Sequence, residues 1–109
     1  MQEDAMDSAS LMAAMQEKAE LLQQLGYRMR FDLTDIGESV LLDATGPGVA
    51  IGPADETTEA DTVLRLTAEN LGRLMAGKLS PVLAFSTGRL RIEGSKGVAM
   101  KLAGLLDGD

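Results

Sequence analysis

Few residues in this chain are able to do chemistry, and what is missing narrows them further. The sequence has no Cys and no His. Disulfides and thiolate metal sites are thereby excluded. With His go the commonest general base, the commonest metal ligand and the usual pH switch. Carboxylates are plentiful, and Asp55 with Glu56, Glu59 with Asp61, and Asp32 with Asp35 lie close in sequence. Acid–base catalysis needs two carboxylates held in unlike environments; these fall in loops or on a solvated strand face. The 55–61 stretch also lacks the ligand spacing and glycine of an EF-hand calcium loop. Gly72 to Lys78 has the G-x4-G-K spacing of a phosphate loop, but Leu79 follows where that loop needs a hydroxyl. No serine sits in a G-x-S-x-G elbow. A Ser–Lys pairing such as Ser95 with Lys101 stays open, and against it stands the position of Ser95 as a helix cap. The expectation is a protein that is not an enzyme and needs neither metal nor cofactor.

Charge is unevenly spread along the 109 residues. Residues 1–61 carry three cations and thirteen anions, and residues 62–109 carry seven cations and four anions, so −10 and +3 sum to the net −7. An acidic chain without a long basic run is a poor partner for nucleic acid. The milder basic half can face an anionic headgroup or an acidic partner, or simply solvent. No stretch approaches the roughly 18 apolar residues of a membrane span. The acidic start does not read as a secretory or transit signal, so the expected compartment is the cytoplasm.

The elements that must position any site follow from periodicity. Residues 1–7 read as an acidic flexible tail, and 8–109 as one domain. A helix capped by Ser8 or Ser10 is expected to about Leu25, with Gly26 as its left-handed stop. Tyr27 to Thr34 alternates as a half-buried strand, Glu38 to Ala44 as a second, and Val49 to Ile51 as a short third, giving an antiparallel meander. Residues 53–61 read as a mobile acidic loop. Thr62 to Leu66 is a fourth strand. Thr67 then caps a helix through Met75, and Ser80 with Pro81 starts a short apolar one. Arg89 to Glu93 is a fifth strand, and Ser95 caps a last helix. The order predicts an α+β layer fold, a sheet with its helices gathered on one face.

The stretch Asp61 to Leu71, then Gly77-Lys78-Leu79-Ser80-Pro81, Ala84-Phe85, Gly88-Arg89-Leu90-Arg91-Ile92-Glu93-Gly94 and Ala99-Met100-Lys101-Leu102 resembles the sterol carrier protein type-2 domain. That pattern has an aspartate-led strand, a Gly-Lys-Leu-x-Pro turn, Ala-Phe, Gly-Lys-Leu-x-Ile-x-Gly and an Ala-Met-Lys-Leu helix. Arg89 stands where many relatives have Lys. The resemblance covers about residues 60–106; residues 8–51 agree in element order alone.

The resemblance implies a five-stranded, mostly antiparallel sheet with helices on one face, enclosing an apolar tunnel. It also implies a non-catalytic carrier of a fatty acid, fatty acyl-CoA, sterol-like or isoprenoid ligand, in the manner of a small standalone bacterial-type member. The strand residues Met29, Phe31, Val40, Leu42, Leu90 and Ile92 would floor the tunnel. Leu71, Leu74, Met75, Val82, Leu83 and Phe85 would roof it, and Met100, Leu102, Leu105 and Leu106 would gate it, with residues 95–106 moving to release ligand. The competing reading is an accessory module that docks on a lipid or quinone pathway enzyme complex, its core filled. Partners are then an apolar lipid or fatty acyl ligand, a lipid-pathway enzyme and transient membrane contact.

Overall fold

The structure, a computed structural model, describes residues 7–107; the remainder of the expected acidic tail lies outside the described residues. The chain runs α1 (Ser8–Glu17), α2 (Ala19–Leu22), a 3-10 turn (Gln23–Leu25), β1 (Arg28–Leu33), β2 (Glu38–Asp43), β3 (Ala50–Ala54), β4 (Thr62–Leu66), α3 (Ala68–Met75), α4 (Pro81–Ser86), β5 (Arg91–Gly94) and α5 (Lys96–Asp107). The strands form one sheet in the order β3-β2-β1-β4-β5. Its pairs are antiparallel except β1 with β4. The fold is therefore α+β with a mostly antiparallel sheet. Among the described residues no helix is long and apolar enough to cross a membrane.

Alternation decides which side of the sheet the helices cover. Met29, Phe31 and Leu33 of β1 point one way, and register places Leu42 opposite Met29, and Val40 and Leu64 on either side of Phe31. All six are buried, and Phe31 has no exposed surface. A single core therefore forms between this sheet face and the helices. Helix α1 lies over β2 and β3 beside α3, and α5 lies over β4 and β5 against α4.

Local chemistry sets most helix ends. Thr67 accepts from the Asn70 amide at 3.1 Å, Ser80 from Leu83 at 3.4 Å and Ser95 from Val98 at 3.2 Å, each relieving an unpaired first-turn donor. Ser95 is thus the expected cap, while the Lys101 ammonium lies 5.4 Å from the centre of the Tyr27 ring. Gly26 takes φ +74° where the first helical segment stops.

Four expectations change. The first helix is capped by Asp7, which accepts from the Ser10 amide at 2.8 Å, and neither Ser8 nor Ser10 has that role: the helix begins at Ser8, so the capping position falls one residue earlier. It also breaks at Lys18 and ends as a 3-10 turn; no Gly or Pro marks that break. The third strand is Ala50–Ala54, since an edge strand tolerates Gly52 and Pro53 where a central one would not. The fifth is Arg91–Gly94, with Leu90 buried just before it.

The acidic segment after β3 is the crossover that carries the chain back from the sheet edge, over β2 and β1, to β4. It is tied to the sheet's outer face by Arg30, whose Nη1 donates to the carbonyls of Glu56 (3.0 Å) and Thr58 (2.9 Å). The same guanidinium grips both oxygens of Asp32, at 2.8 and 3.0 Å. Ser39 donates a third bond to Asp32 at 2.8 Å, and Arg65 stands 3.6 Å away.

Partial burial pushes the Asp32 carboxyl up. The bonds from Arg30 and Ser39 and the charges of Arg30 and Arg65 outweigh that and hold it below its ordinary value of 3.8. A depressed folded-state value means stability that is present above the unfolded value and lost as pH falls through the folded one. Asp32→Asn is therefore expected to destabilise the protein at neutral pH, with the gap to wild type closing below about pH 4. Urea unfolding at the two pH values reads this directly; a gap that stays constant contradicts it.

Candidate functional site

Three of the other carboxylates singled out by sequence have structural partners. Asp35 accepts from the Ala68 amide at the start of α3 at 3.0 Å, Asp55 from the Thr57 amide at 2.8 Å and Asp61 from the Arg28 amide at 2.9 Å. No group of three potential metal ligands occurs among the described residues. Gly72 lies inside α3, so the G-x4-G-K stretch has no strand before it. An open groove of about 460 Å³ runs beside the β1–β2 turn, but Asp32, Glu38, Asp55, Glu56 and Arg65 line it, which suits no apolar guest.

A different cavity lies on the helical side, over β4 and β5. Its volume is about 150 Å³. Leu64 and Ile92 of the strands and Leu90 form its floor, Leu74 of α3 and Pro81, Val82 and Phe85 of α4 one wall, and α5 the other with Lys96, Ala99, Met100, Leu102, Ala103 and Leu106. Every lining residue is apolar except Lys96. The reason is sequence periodicity on three elements at once. Leu64 and Ile92 are register partners on the inward face. On α5, Ala99, Leu102, Ala103 and Leu106 recur at helical spacing, and the two alanines leave space that larger residues would occupy.

Of the sixteen residues expected at a ligand site, Leu74, Val82, Phe85, Leu90, Ile92, Met100, Leu102 and Leu106 come together around this cavity. The other eight lie elsewhere. Met29, Phe31, Val40, Leu42 and Leu71 have no exposed surface and Met75 is buried with them in the core. Leu105 is partly buried against that core, and Leu83 is exposed. The space is thus gathered at the β4–β5 end of the sheet, while the centre of the sheet is covered by packed side chains. Leu64, Pro81, Lys96, Ala99 and Ala103 line it without having been expected to. Register could have found Leu64, since it faces Ile92, and helical spacing could have found the two alanines, four apart on the face of Leu102 and Leu106.

Empty apolar space of about 150 Å³ forgoes packing contacts that a larger side chain would make. Ala103→Phe places a ring in that space. It is expected to raise stability by about 0.5–2 kcal/mol, read as a higher denaturant midpoint at unchanged slope. A clear loss would show that α5 cannot hold the larger side chain there.

Comparison with known proteins follows the same outline. Hydroxysteroid dehydrogenase-like protein 2 of Homo sapiens is 32% identical over 71 residues, 65% of this chain and 17% of that protein. This chain therefore spans less than a fifth of the matched relative's length. Among solved structures, sterol carrier protein 2 from Yarrowia lipolytica in its apo form superposes with a TM-score of 0.71 at 23% identity, over 96% of this chain and 93% of that one. UbiJ-SCP2, a ubiquinone synthesis protein, gives 0.69 at 15% identity over 92% of each chain; both show the shared fold. With the profile of the SCP-2 sterol transfer family matching residues 9–107, the chain belongs to that family.

Proposed function

We propose that this protein binds and carries an apolar, lipid-like ligand without catalysing its conversion, and does so in the cytoplasm. The observation that carries the reading is the cavity between α4, α5 and the β4–β5 edge, apolar throughout except for Lys96 at its lining. Such a wall takes an alkyl or isoprenoid chain and offers no group to turn it over. Single-chain lipids are larger than the space. Ligand pockets run to about 300–1,000 Å³, and a cavity of about 150 Å³ suits a guest the size of benzene. Binding a whole chain therefore requires α4 or α5 to move outward. The wall that would move is residues 95–106, the segment that carries nearly half of the lining.

The test is organic extraction of the purified protein followed by mass spectrometry, with native mass measured alongside. A stoichiometric lipid is expected and its class would be read directly. A clean mass, with no uptake of a fatty acid or isoprenoid on titration, overturns the carrier reading.

The modest volume favours a second reading, an accessory module docking on a lipid or quinone pathway enzyme complex. The UbiJ-SCP2 neighbour accords with it in fold. A stable complex with such an enzyme, formed by protein that takes up no lipid, would establish it.

A further inference from the structure

The two edges of the sheet are not alike. Backbone groups alternate along a strand, so one bond near its end fixes which residues turn toward a neighbour. The Ala44 amide donates to the Tyr27 carbonyl at 3.1 Å. Counting by twos through the registers turns Ala50, Gly52 and Ala54 toward β2 and leaves Ile51 and Pro53 facing outward. Pro53 has no amide hydrogen, so that edge offers a second chain little. At the opposite edge, the Ser95 amide donates to the Asp61 carbonyl at 3.1 Å, and the Thr34 amide to the Leu66 carbonyl at 2.9 Å. Both bonds turn Val63 and Arg65 toward β5, where they pair with Glu93 and Arg91. The amide and carbonyl of Ile92 then point away from the sheet. They have no ladder partner among the described residues, because β5 is the last strand.

The side chains of this edge complement themselves. Ile92 faces the helices and lines the cavity, so Arg91 and Glu93 stand on the opposite face, and both are exposed. Arg91 sits opposite Arg65 in register and makes no ion pair among the described residues. Glu93 is 3.3 Å from Arg65, with its side chain 53% exposed. Charges on an edge strand ordinarily keep other chains away. Here their order, a cation and then an anion two residues on, attracts a copy of the same strand. A second β5 turned antiparallel about Ile92 would set Arg91 of each copy opposite Glu93 of the other. One two-fold axis gives both pairs, which is how a self-complementary interface is built. Ile92 would exchange both backbone bonds with Ile92 of the second copy. The flanking Arg91–Glu93 positions are then non-hydrogen-bonded pairs, in which side chains approach more closely.

We infer that the protein forms a two-fold dimer through β5, in which the two five-stranded sheets join as one with Ile92 at the axis. The axis runs through the sheet, so both sets of helices lie on one face. The two cavities flank the seam, since Ile92 lines each. The seam is short, so the dimer is weak and is populated at high protein concentration. Backbone direction and charge order carry the inference, which holds or fails separately from the carriage reading.

The test is sedimentation velocity of the full chain over a wide range of concentration. Wild type is expected to pass from monomer to dimer as it is concentrated, and exchange of the Ile92 amide to slow with it. Arg91→Glu sets glutamates opposite one another at both pairs, and Glu93→Arg sets arginines there. Each should weaken the dimer on the order of tenfold. Mixed in equal amounts, the two variants should dimerise again as wild type does, because every glutamate of one then meets an arginine of the other. The chain carrying both reversals should also dimerise like wild type. Unfolding midpoints check that each variant is folded. A wild type that stays monomeric at the highest concentration would overturn the inference and leave the edge to some other extended chain. A dimer that neither reversal weakens, an Ile92 amide whose exchange ignores concentration, or folded variants that stay monomeric when mixed would each overturn it as well.

Discussion

Arg30→Ala is expected to destabilise the protein by about 3 kcal/mol and to free the crossover between β3 and β4. Arg30 is 7% exposed although it lies on the sheet face away from the helices. The cover comes from the crossover itself, held by the bonds to the Glu56 and Thr58 carbonyls. Truncation removes those two bonds and both bonds to Asp32. It leaves a partly buried carboxylate with Ser39 and a more distant Arg65. Charged hydrogen bonds contribute about 1.5–3 kcal/mol each when broken, and solvent reaching the vacated site recovers part of that. The readout is local as well as global. A glutamate-specific protease should cut the variant after Glu56 or Glu59 much faster than wild type under native conditions. Equal cutting rates would mean that the crossover is held by something other than this guanidinium.

Gly94→Ala should cost about 2–4 kcal/mol, because two independent penalties coincide. Gly94 has φ +88°, where any side chain is strained. A Cβ there would also stand 2.9 Å from the Asp61 carbonyl oxygen and 3.3 Å from the Thr62 Cα. Both neighbours are backbone, and neither is free to yield: the Asp61 carbonyl accepts from the Ser95 amide at 3.1 Å, and its amide donates to the Arg28 carbonyl at 2.9 Å. The close approach is how the end of β5 reaches β4 before α5 begins. Gly77→Ala is the control. It has a similar φ of +75° with nothing within 4 Å of the added carbon, so about 1 kcal/mol is expected from backbone strain alone. Equal costs at the two positions would show that the contact with Asp61 contributes nothing.

These two positions also show what could be read from the chain and what could not. Simple alternation puts Arg30 on the polar side of β1, and that is where it lies. Its burial depends on a crossover twenty-six residues away in sequence, which alternation does not reach. Caps at Thr67, Ser80 and Ser95 and the stop at Gly26 were legible because each is decided within four residues by a hydroxyl or a missing Cβ. The interruption at Lys18 was not, since no residue type there announces it. The third strand was read as stopping at Ile51, because whether Gly52 and Pro53 fit in a strand depends on its being at an edge, which topology decides.

The site divides along the same line. Periodicity identified which apolar strand residues face inward, while on the short helix α4 it failed, since Leu83 is exposed; and even in the strands a core residue and a cavity residue have the same pattern. Met29 and Phe31 are indistinguishable from Leu90 and Ile92 until packing fills the space over one pair and leaves it over the other. What separates them is the small size of Ala99 and Ala103 on the helix above, a feature that reads in sequence as two unremarkable residues.

The central claim is that the cavity between α4 and α5 is where ligand is held. It is tested most directly by titrating delipidated wild type and Ala103→Phe with a fluorescent fatty acid whose emission reports an apolar surrounding. The account predicts saturable binding at one equivalent by wild type and its loss in a variant that is folded and at least as stable. Undiminished binding by Ala103→Phe would place the ligand elsewhere on the protein and contradict the account.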